Sequence, residues 1–246
     1  MKDNKYKRPK RKIRYFRIFL SLVFLCLLVF AFLRLPIFRV RKISVTGNER
    51  LDESTLISHS KVSTRDNLIF LKKDKVRENV LTNPFVEDVE VKKSLFKGLT
   101  LAVKERQAAA TLQIGDKYLL IDSFGIIIDE YNSLMLNLSL ITGIKINGQI
   151  NLGQDIFSFV SEEKNNLLRE LLNGENIYKF KSVNLEEDQA ELVLKDGVIV
   201  AFGSYNKVDY KLKVLDLMVK KIEEDGSKNP SMILMEDGPV PILVVD

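Results

Sequence analysis

Side chains with the chemistry of a catalytic or metal site are scarce in this sequence. His59 is the one histidine and Cys26 the one cysteine among 246 residues. A nucleophile activated by a histidine would therefore depend on His59 alone. Zinc needs three or four converging nitrogen, sulfur or oxygen ligands, which this pair of residues does not supply. We therefore expect no catalytic residue, no metal, no cofactor and no small-molecule substrate.

Carboxylates are the remaining candidates for acid–base chemistry. They include short clusters such as those at residues 186–188, 223–225 and 236–237, which the sequence pattern places at turns or helix ends. Solvated charge is the default interpretation at such places, although paired carboxylates that cleave a glycosidic bond stay open as an alternative. The sequence has no tryptophan, and a wall hydrolase usually holds its sugars on aromatic platforms. No phosphate-binding glycine motif is present either.

The chain is organised around an uncharged apolar run at residues 18–33. Nine lysines and arginines and one aspartate precede it, so residues 1–17 carry a net charge of +8, whereas the whole chain carries +5. Extended to residue 35, the run is long enough for a transmembrane helix, with Arg34 reaching back to the interface. The positive-inside rule then places the basic tail in the cytoplasm and the rest of the chain outside the cell membrane, as in a single-pass type II protein.

Two other interpretations of this N-terminal region compete with a membrane anchor. A cleaved signal peptide needs small residues before its cleavage site, and the run here ends in bulky residues up to Arg34. The basic tail has the charge to bind nucleic acid, but beside a membrane span the same charge is explained by topology and by anionic lipid. We therefore expect membrane lipid, and no nucleic acid, as the partner of the tail and anchor.

Beyond the apolar run, the spacing of apolar residues predicts an α+β fold. It predicts a strand with an irregularity at 38–46, helices at 51–60 and 73–81, and strands at 86–93 and 99–103. From residue 108 onward the pattern is mainly that of strands, with amphipathic helices at about 156–172 and 208–222. Asp196-Gly197 between two alternating apolar runs is a strong hairpin signal. Two apolar segments, at 232–235 and 239–245, are the last predicted strands.

Four motifs resemble the POTRA domain of the FtsQ/DivIB family of bacterial cell-division proteins. They are V-T-G-N at 45–48, N-L-I-F-L at 67–71, N-P-F-V at 83–86 and V-K-E-R at 103–106. Each motif is short, but the four in this order and spacing are specific, and a looser resemblance continues through L-I-D-x-x-G at 120–125. The resemblance implies a tail at 1–17, a transmembrane helix at 18–35, a POTRA domain of order βααββ at 38–107, and a β-rich domain with two amphipathic helices at 108–246.

The resemblance also implies a function without a reaction. Members of this family are scaffolds at the division septum that bind FtsL-like and FtsB/DivIC-like bitopic coiled-coil proteins outside the membrane and help regulate septal peptidoglycan synthesis. Relatives bind such a partner through their C-terminal strand region. We therefore expect partner binding at an open strand edge around residues 232–236 and in the last strand. The predicted contact residues are Met232, Ile233, Leu234, Met235, Glu236, Ile242 and Val244.

Two other function classes stay open at this point. One is a POTRA-type chaperone or assembly factor that acts on exported polypeptides and lacks a fixed partner. The other is a membrane-anchored wall hydrolase that uses a pair of the carboxylates described above.

Overall fold

The computed structural model describes residues 12–134, 137–146, 148–173, 176–225, 230–235 and 241–245. Within them the chain forms two compact units. The first contains the described part of Met1–Val80 together with Val89–Val103, and the second contains Leu81–Asp88 and the described part of Lys104–Asp246. The predicted α+β class is confirmed: an apolar N-terminal helix is followed by a small unit of helices and strands and then by a β-rich unit.

The N-terminal helix, α1, runs over Lys12–Leu33. Its segment Tyr15–Leu33 is long and apolar enough to cross a membrane, judged by length and composition, and none of it is buried by the protein. The helix tightens at its end, because the amides of Arg34 and Leu35 bond to carbonyl oxygens three residues earlier. Pro36 cannot continue the α-helical ladder, and a short 3-10 turn, Pro36–Phe38, follows.

The first unit is built on the order strand, helix, helix, strand, strand. Its elements are β1 (Ile43–Thr46), α2 (Glu53–Ser60), α3 (Lys73–Val80) and the greater part of β2 (Val86–Ser94) and β3 (Gly98–Glu105). The sheet order is β1-β3-β2, and β1 runs parallel to β3 with Ile43 opposite Leu99. The alternate residues Val89, Val91, Leu99, Leu101 and Val103 are buried and form the core with Leu56 and Val76.

The first strand is shorter than the sequence predicts. The prediction of a strand over 38–46 is wrong for its first half, because the structure assigns only Ile43–Thr46 to β1. The preceding residues bond elsewhere: the amide of Leu68 donates to the carbonyl of Phe38 at 2.7 Å, and the amide of Val40 donates to the carbonyl of Asp66 at 2.9 Å. The backbone groups of Phe38 and Val40 therefore bond to the connector between α2 and α3, and they are not available to extend β1.

The second unit is dominated by a nine-stranded sheet of order β12-β11-β10-β9-β8-β7-β4-β5-β6. Its strands are β4 (Ala108–Ile114), β5 (Lys117–Asp122), β6 (Ile127–Tyr131), β7 (Ser139–Thr142), β8 (Phe180–Leu185), β9 (Ala190–Leu194), β10 (Ile199–Gly203), β11 (Pro230–Leu234) and β12 (Ile242–Val245). The β9–β10 hairpin turns at the predicted Asp-Gly, where Gly197 has φ +95°. From β7 onward each new strand lies outside the previous one.

Two α-helices accompany this sheet, α4 (Glu162–Leu172) and α5 (Val208–Asp225). The single helix predicted over 156–172 is wrong, because the structure has a 3-10 turn, Ile156–Phe159, and an extended Val160 before α4 begins. Asn165 fixes this break: its Nδ2 donates to the carbonyls of Phe157 at 2.9 Å and Val160 at 3.1 Å. The apolar spacing continues across the break, so periodicity alone did not reveal it.

Candidate functional site: an open strand edge

The last two strands form one end of the nine-stranded sheet. Helix α5 returns the chain after β10, so β11 pairs parallel to β10, with Ile199 opposite Met232 and Ala201 opposite Leu234. The amide of Met235 extends this pairing by donating to the carbonyl of Ala201 at 2.9 Å. Strand β11 is thus fixed on one side by the body of the sheet.

The other side of β11 is also occupied. Strand β12 pairs antiparallel to it, with Ile233 opposite Leu243 and Leu234 opposite Ile242. The hydroxyl of Ser231 adds a contact by donating to the carbonyl of Val244 at 3.4 Å. The expectation of an open edge at residues 232–236 is therefore wrong for the backbone of Met232–Leu234, because β12 covers it. Among the described residues, no strand pairs with the outer side of β12, and this side is the open edge.

The seven predicted contact residues differ in how much of each side chain a partner can reach. Ile233 is fully buried and Met235 is 6% exposed, and both belong to the core of the second unit. Met232 and Leu234 are half-buried. Ile242 is 62% exposed and Val244 is 37% exposed. Glu236 lies outside the described residues, so its part in the prediction has no structural counterpart here.

The structure therefore separates the predicted set into two roles. Ile233 and Met235 hold β11 against the core, whereas Ile242 and Val244 sit on the open strand with accessible apolar side chains. Leu243, 37% exposed, is a third accessible residue of β12 that the prediction omitted. The sequence itself could have indicated Leu243. It lies between Ile242 and Val244, and neighbouring strand residues point to opposite faces of a sheet.

The residues with potential acid–base chemistry are spread over separate surfaces. His59 is half-buried at the end of α2, and Glu186 and Glu223 are exposed at a turn and near a helix end. Within the described part of the chain, no group of three or more His, Cys, Asp or Glu could hold a metal ion. The cluster at 236–237 lies outside the described residues.

Backbone carbonyls beside the acidic turn are held by a buried tyrosine. The Tyr205 hydroxyl donates to the carbonyl of Glu186 at 2.6 Å, and the carbonyl of Gln189 lies 2.9 Å from the same oxygen. Burial, with the negative charges of Glu186, Asp188 and Glu163 added, raises the pKa of Tyr205. A phenol that stays protonated serves as a permanent donor to the turn between β8 and β9. Its role is thus to fix a turn in the sheet.

Comparison with known proteins agrees with the motifs. A family model described as "POTRA domain, FtsQ-type" matches residues 38–106. Cell division protein DivIB of Clostridium tetani is 26% identical over 213 residues, which cover 85% of this chain and 80% of that protein. DivIB of Bacillus subtilis is 27% identical over 203 residues, which cover 80% of this chain and 72% of that protein.

A comparison with solved structures gives a weaker likeness. The major extracytoplasmic domain of DivIB from Geobacillus stearothermophilus, in its trans isomer, has a TM-score of 0.30 and 9% sequence identity to this chain. The match covers 50% of this chain and 98% of that one. These values are too low to establish a common fold by themselves.

Proposed function

We propose that this chain is a member of the FtsQ/DivIB family of bacterial cell-division proteins, which it resembles, and that it is a non-enzymatic scaffold of the division machinery. Its role in this proposal is to bind other bitopic division proteins outside the membrane and thereby help regulate septal peptidoglycan synthesis. The expected partners are FtsL-like and FtsB/DivIC-like coiled-coil proteins. The proposed role in cell division is supported by the similarity to DivIB proteins, and the proposed scaffold mechanism is supported by the edge described above.

The proposal assigns a place to each part of the chain. Residues 1–17 are the cytoplasmic tail, 18–35 the anchor, 38–107 the POTRA domain and 108–246 the β-domain, with the two domains outside the membrane at the division septum. The apolar segment Tyr15–Leu33 supports the anchor. The basic residues before it support the orientation, because positive charge is retained on the cytoplasmic side.

The single observation that carries the scaffold mechanism is the open side of β12. An extended segment of a partner can add to such an edge as a further strand, because its main-chain groups pair with the free N–H and C=O groups. Exposed apolar side chains at Ile242, Leu243 and Val244 can then pack against alternate side chains of the added strand. Met232 and Leu234, half-buried on the neighbouring strand, extend that surface.

The test is capture of the partners by the full chain carrying Ile242→Glu and Val244→Glu together. Both side chains are exposed, so the fold should tolerate the change, whereas packing against a partner strand would bury two unpaired charges. We expect capture from detergent-solubilised membranes to fall at least about tenfold, equivalent to 1.4 kcal/mol. Circular dichroism of the purified variant checks its folding.

A matched control is Leu217→Glu, which places the same charge at a 69% exposed leucine on helix α5. This variant should retain partner capture and septal localisation of a fluorescent fusion. Undiminished capture by the folded double variant would refute docking at β12. Release of soluble wall fragments by the purified full chain would instead support the hydrolase alternative.

A further inference from the structure

The connector that follows α2 contacts the end of the apolar helix α1. Asn67 donates from Nδ2 to the carbonyl of Leu33, the last residue of α1, at 2.7 Å. The ring of Phe70 lies 6.1 Å from the ring of Phe30, centroid to centroid. Phe30 precedes Leu33 by about one helical turn, so Phe70 reaches the level of the last apolar turn of the helix.

The turn between β2 and β3 lies at the same end of the first unit. Strand β1 begins at Ile43, which is its end nearer to α1 in sequence. Strand β3 runs parallel to it, with Leu99 opposite Ile43. The amide of Leu99 donates to the carbonyl of Lys42 at 2.9 Å. The residues just before Gly98 therefore lie at the end of the sheet at which the chain enters β1. The Nζ atom of Lys93, within 3.5 Å of the carbonyl of Ile69, connects that hairpin to the connector.

Both segments carry apolar side chains that the protein does not cover. Phe96 is 89% exposed, the highest value for a large apolar side chain among the described residues. Leu95 is 50% exposed, Phe70 47% and Ile69 38%. We call these four residues the juxtamembrane patch. Exposed apolar residues that occur singly are ordinary, but two pairs held beside the end of an apolar helix need an apolar environment.

Lysines predominate in the two segments that carry the patch, although Glu90, just before the second segment, pairs with Lys92 at 2.8 Å. Residues 91–98 contain three lysines and no acid, and residues 67–73 contain two lysines and no acid. Burial, with the positive charge of Lys73 added, lowers the pKa of Lys93. The positive charges of Lys73 and Lys93 thus lie close enough to affect each other. Apolar side chains bordered by cations are the composition that binds the interface of anionic phospholipid membranes.

We propose that the juxtamembrane patch inserts into the outer headgroup region of the membrane, with Lys73, Lys93 and Lys97 facing anionic phospholipid. This inference rests on the proposed membrane anchoring of α1. The first unit then contacts the lipid through two loops in addition to helix α1. Phe70 and Phe96 occupy the depth at which aromatic side chains prefer to lie, and the lysines remain at the level of the phosphates.

The absence of tryptophan from the natural sequence makes a direct depth measurement possible. Three single-tryptophan variants of the full chain, Phe96→Trp, Ser54→Trp and Phe24→Trp, are reconstituted into phosphatidylcholine vesicles containing phosphatidylglycerol. Fluorescence is compared with and without brominated acyl chains. Ser54 is exposed at the start of α2, beyond the far end of β1, and serves as the matched control in the same unit. Phe24 lies within the span and reports anchoring.

We expect bromolipid to quench tryptophan at 24 and 96 and to leave tryptophan at 54 unquenched. In the Phe96→Trp background, Lys97→Gln should reduce the gain in quenching that phosphatidylglycerol produces. Lys75→Gln, on an exposed lysine of α3 paired with Glu78, should not reduce that gain. Each substitution is at an exposed side chain, so loss of folding does not confound the comparison.

The possible outcomes distinguish failure of the lipid contact from failure of the membrane anchor. An unquenched tryptophan at 96 together with a quenched one at 24 overturns the lipid contact, leaves the anchor intact, and assigns the patch to a protein partner instead. An unquenched tryptophan at 24 refutes the anchor, and the lipid contact is refuted with it. Quenching at 96 that does not depend on phosphatidylglycerol or on Lys97 contradicts the part of the proposal that concerns the lysines.

Discussion

The guanidinium Nη1 of Arg106 lies 2.6 Å from Oδ2 of Asp122, and the two side chains are only 18% and 4% exposed. The other carboxylate oxygen, Oδ1, accepts the backbone amides of Phe124 at 2.9 Å and Ile126 at 2.8 Å. One aspartate thus closes the turn between β5 and β6 and neutralises the arginine that ends the V-K-E-R motif. Both residues belong to motifs visible in the sequence, but their pairing is visible only in the structure.

Arg106→Met should destabilise the chain strongly, because it leaves the buried Asp122 carboxylate without its cation. The expected loss in free energy of unfolding is about 3–5 kcal/mol. It is measured as the shift in urea midpoint of the full chain in detergent micelles. Lys104→Met is the matched control, since Lys104 pairs with Glu87 but is 69% exposed, and its loss should stay below about 1 kcal/mol. Equal losses would contradict a structural role for the buried pair.

Ile233 and Ile242 should respond oppositely to truncation, although both were predicted as contact residues. Ile233→Ala removes a fully buried side chain from the core and should lower the free energy of unfolding by about 2–5 kcal/mol. Ile242→Ala, at a 62% exposed position, should change it by no more than about 0.5 kcal/mol. Thermal unfolding followed by circular dichroism distinguishes them. Normal stability of Ile233→Ala would show that β11 is not packed as described.

Gly143→Ala and Gly115→Ala compare two glycines that both have positive φ, +83° and +58°. A methyl group at Gly115 meets nothing within 4 Å, so only backbone strain of about 1 kcal/mol is expected. At Gly143 the methyl group meets the carbonyl of Leu185, and the neighbouring backbone must shift. We therefore expect a clearly larger loss of stability at 143, read from the two urea midpoints. A difference of zero would show that β7 and β8 approach less closely.

Tyr205 should make the protein sensitive to high pH. Because the folded state raises the pKa of this phenol above its ordinary value of 10.0, its protonation stabilises the fold fully below about pH 10. That contribution is lost as the pH rises further. Tyr205→Phe should therefore show a smaller loss of stability between pH 10 and about pH 11, besides a lower stability at pH 8.

Absorbance at 295 nm provides an independent check on this tyrosine. The chain has seven tyrosines, and in the folded wild type one phenol should ionise last. Tyr205→Phe should remove that last step, whereas Tyr178→Phe, at a 40% exposed residue, should leave it in place. If the last step persists in Tyr205→Phe, the phenol responsible lies elsewhere.

Most local elements were predictable because each has a local cause. The stop of α3 before Pro84, the turn at Asp196-Gly197 and the five-turn amphipathic helix α5 follow from proline geometry, turn chemistry and apolar spacing. The exceptions depend on hydrogen bonds that apolar spacing does not reveal. The first half of the predicted strand at 38–46 is taken by hydrogen bonds to residues 66–68, and the break at Val160 is held by the side chain of Asn165.

The candidate site was predictable in region but not in detail. Apolar alternation located the last two strands, and the family resemblance assigned them to partner binding. Which of them is open depends on strand order, because β11 is enclosed only when α5 returns it beside β10 and β12 then covers it. Nothing in the local sequence of residues 230–235 specifies those neighbours. The roles of Ile233 and Ile242 were therefore separated by the structure alone.

The order of strands in the nine-stranded sheet determines when the open edge of β12 is complete. After β7, every strand is added outside its predecessor, and β12 is the outermost. Because β12 pairs with β11 and is the last strand of its sheet in chain order, this edge is complete only after the other eight strands have been synthesised. Under the proposed scaffold function, a partner that binds this edge would therefore select completely synthesised and folded copies of the chain.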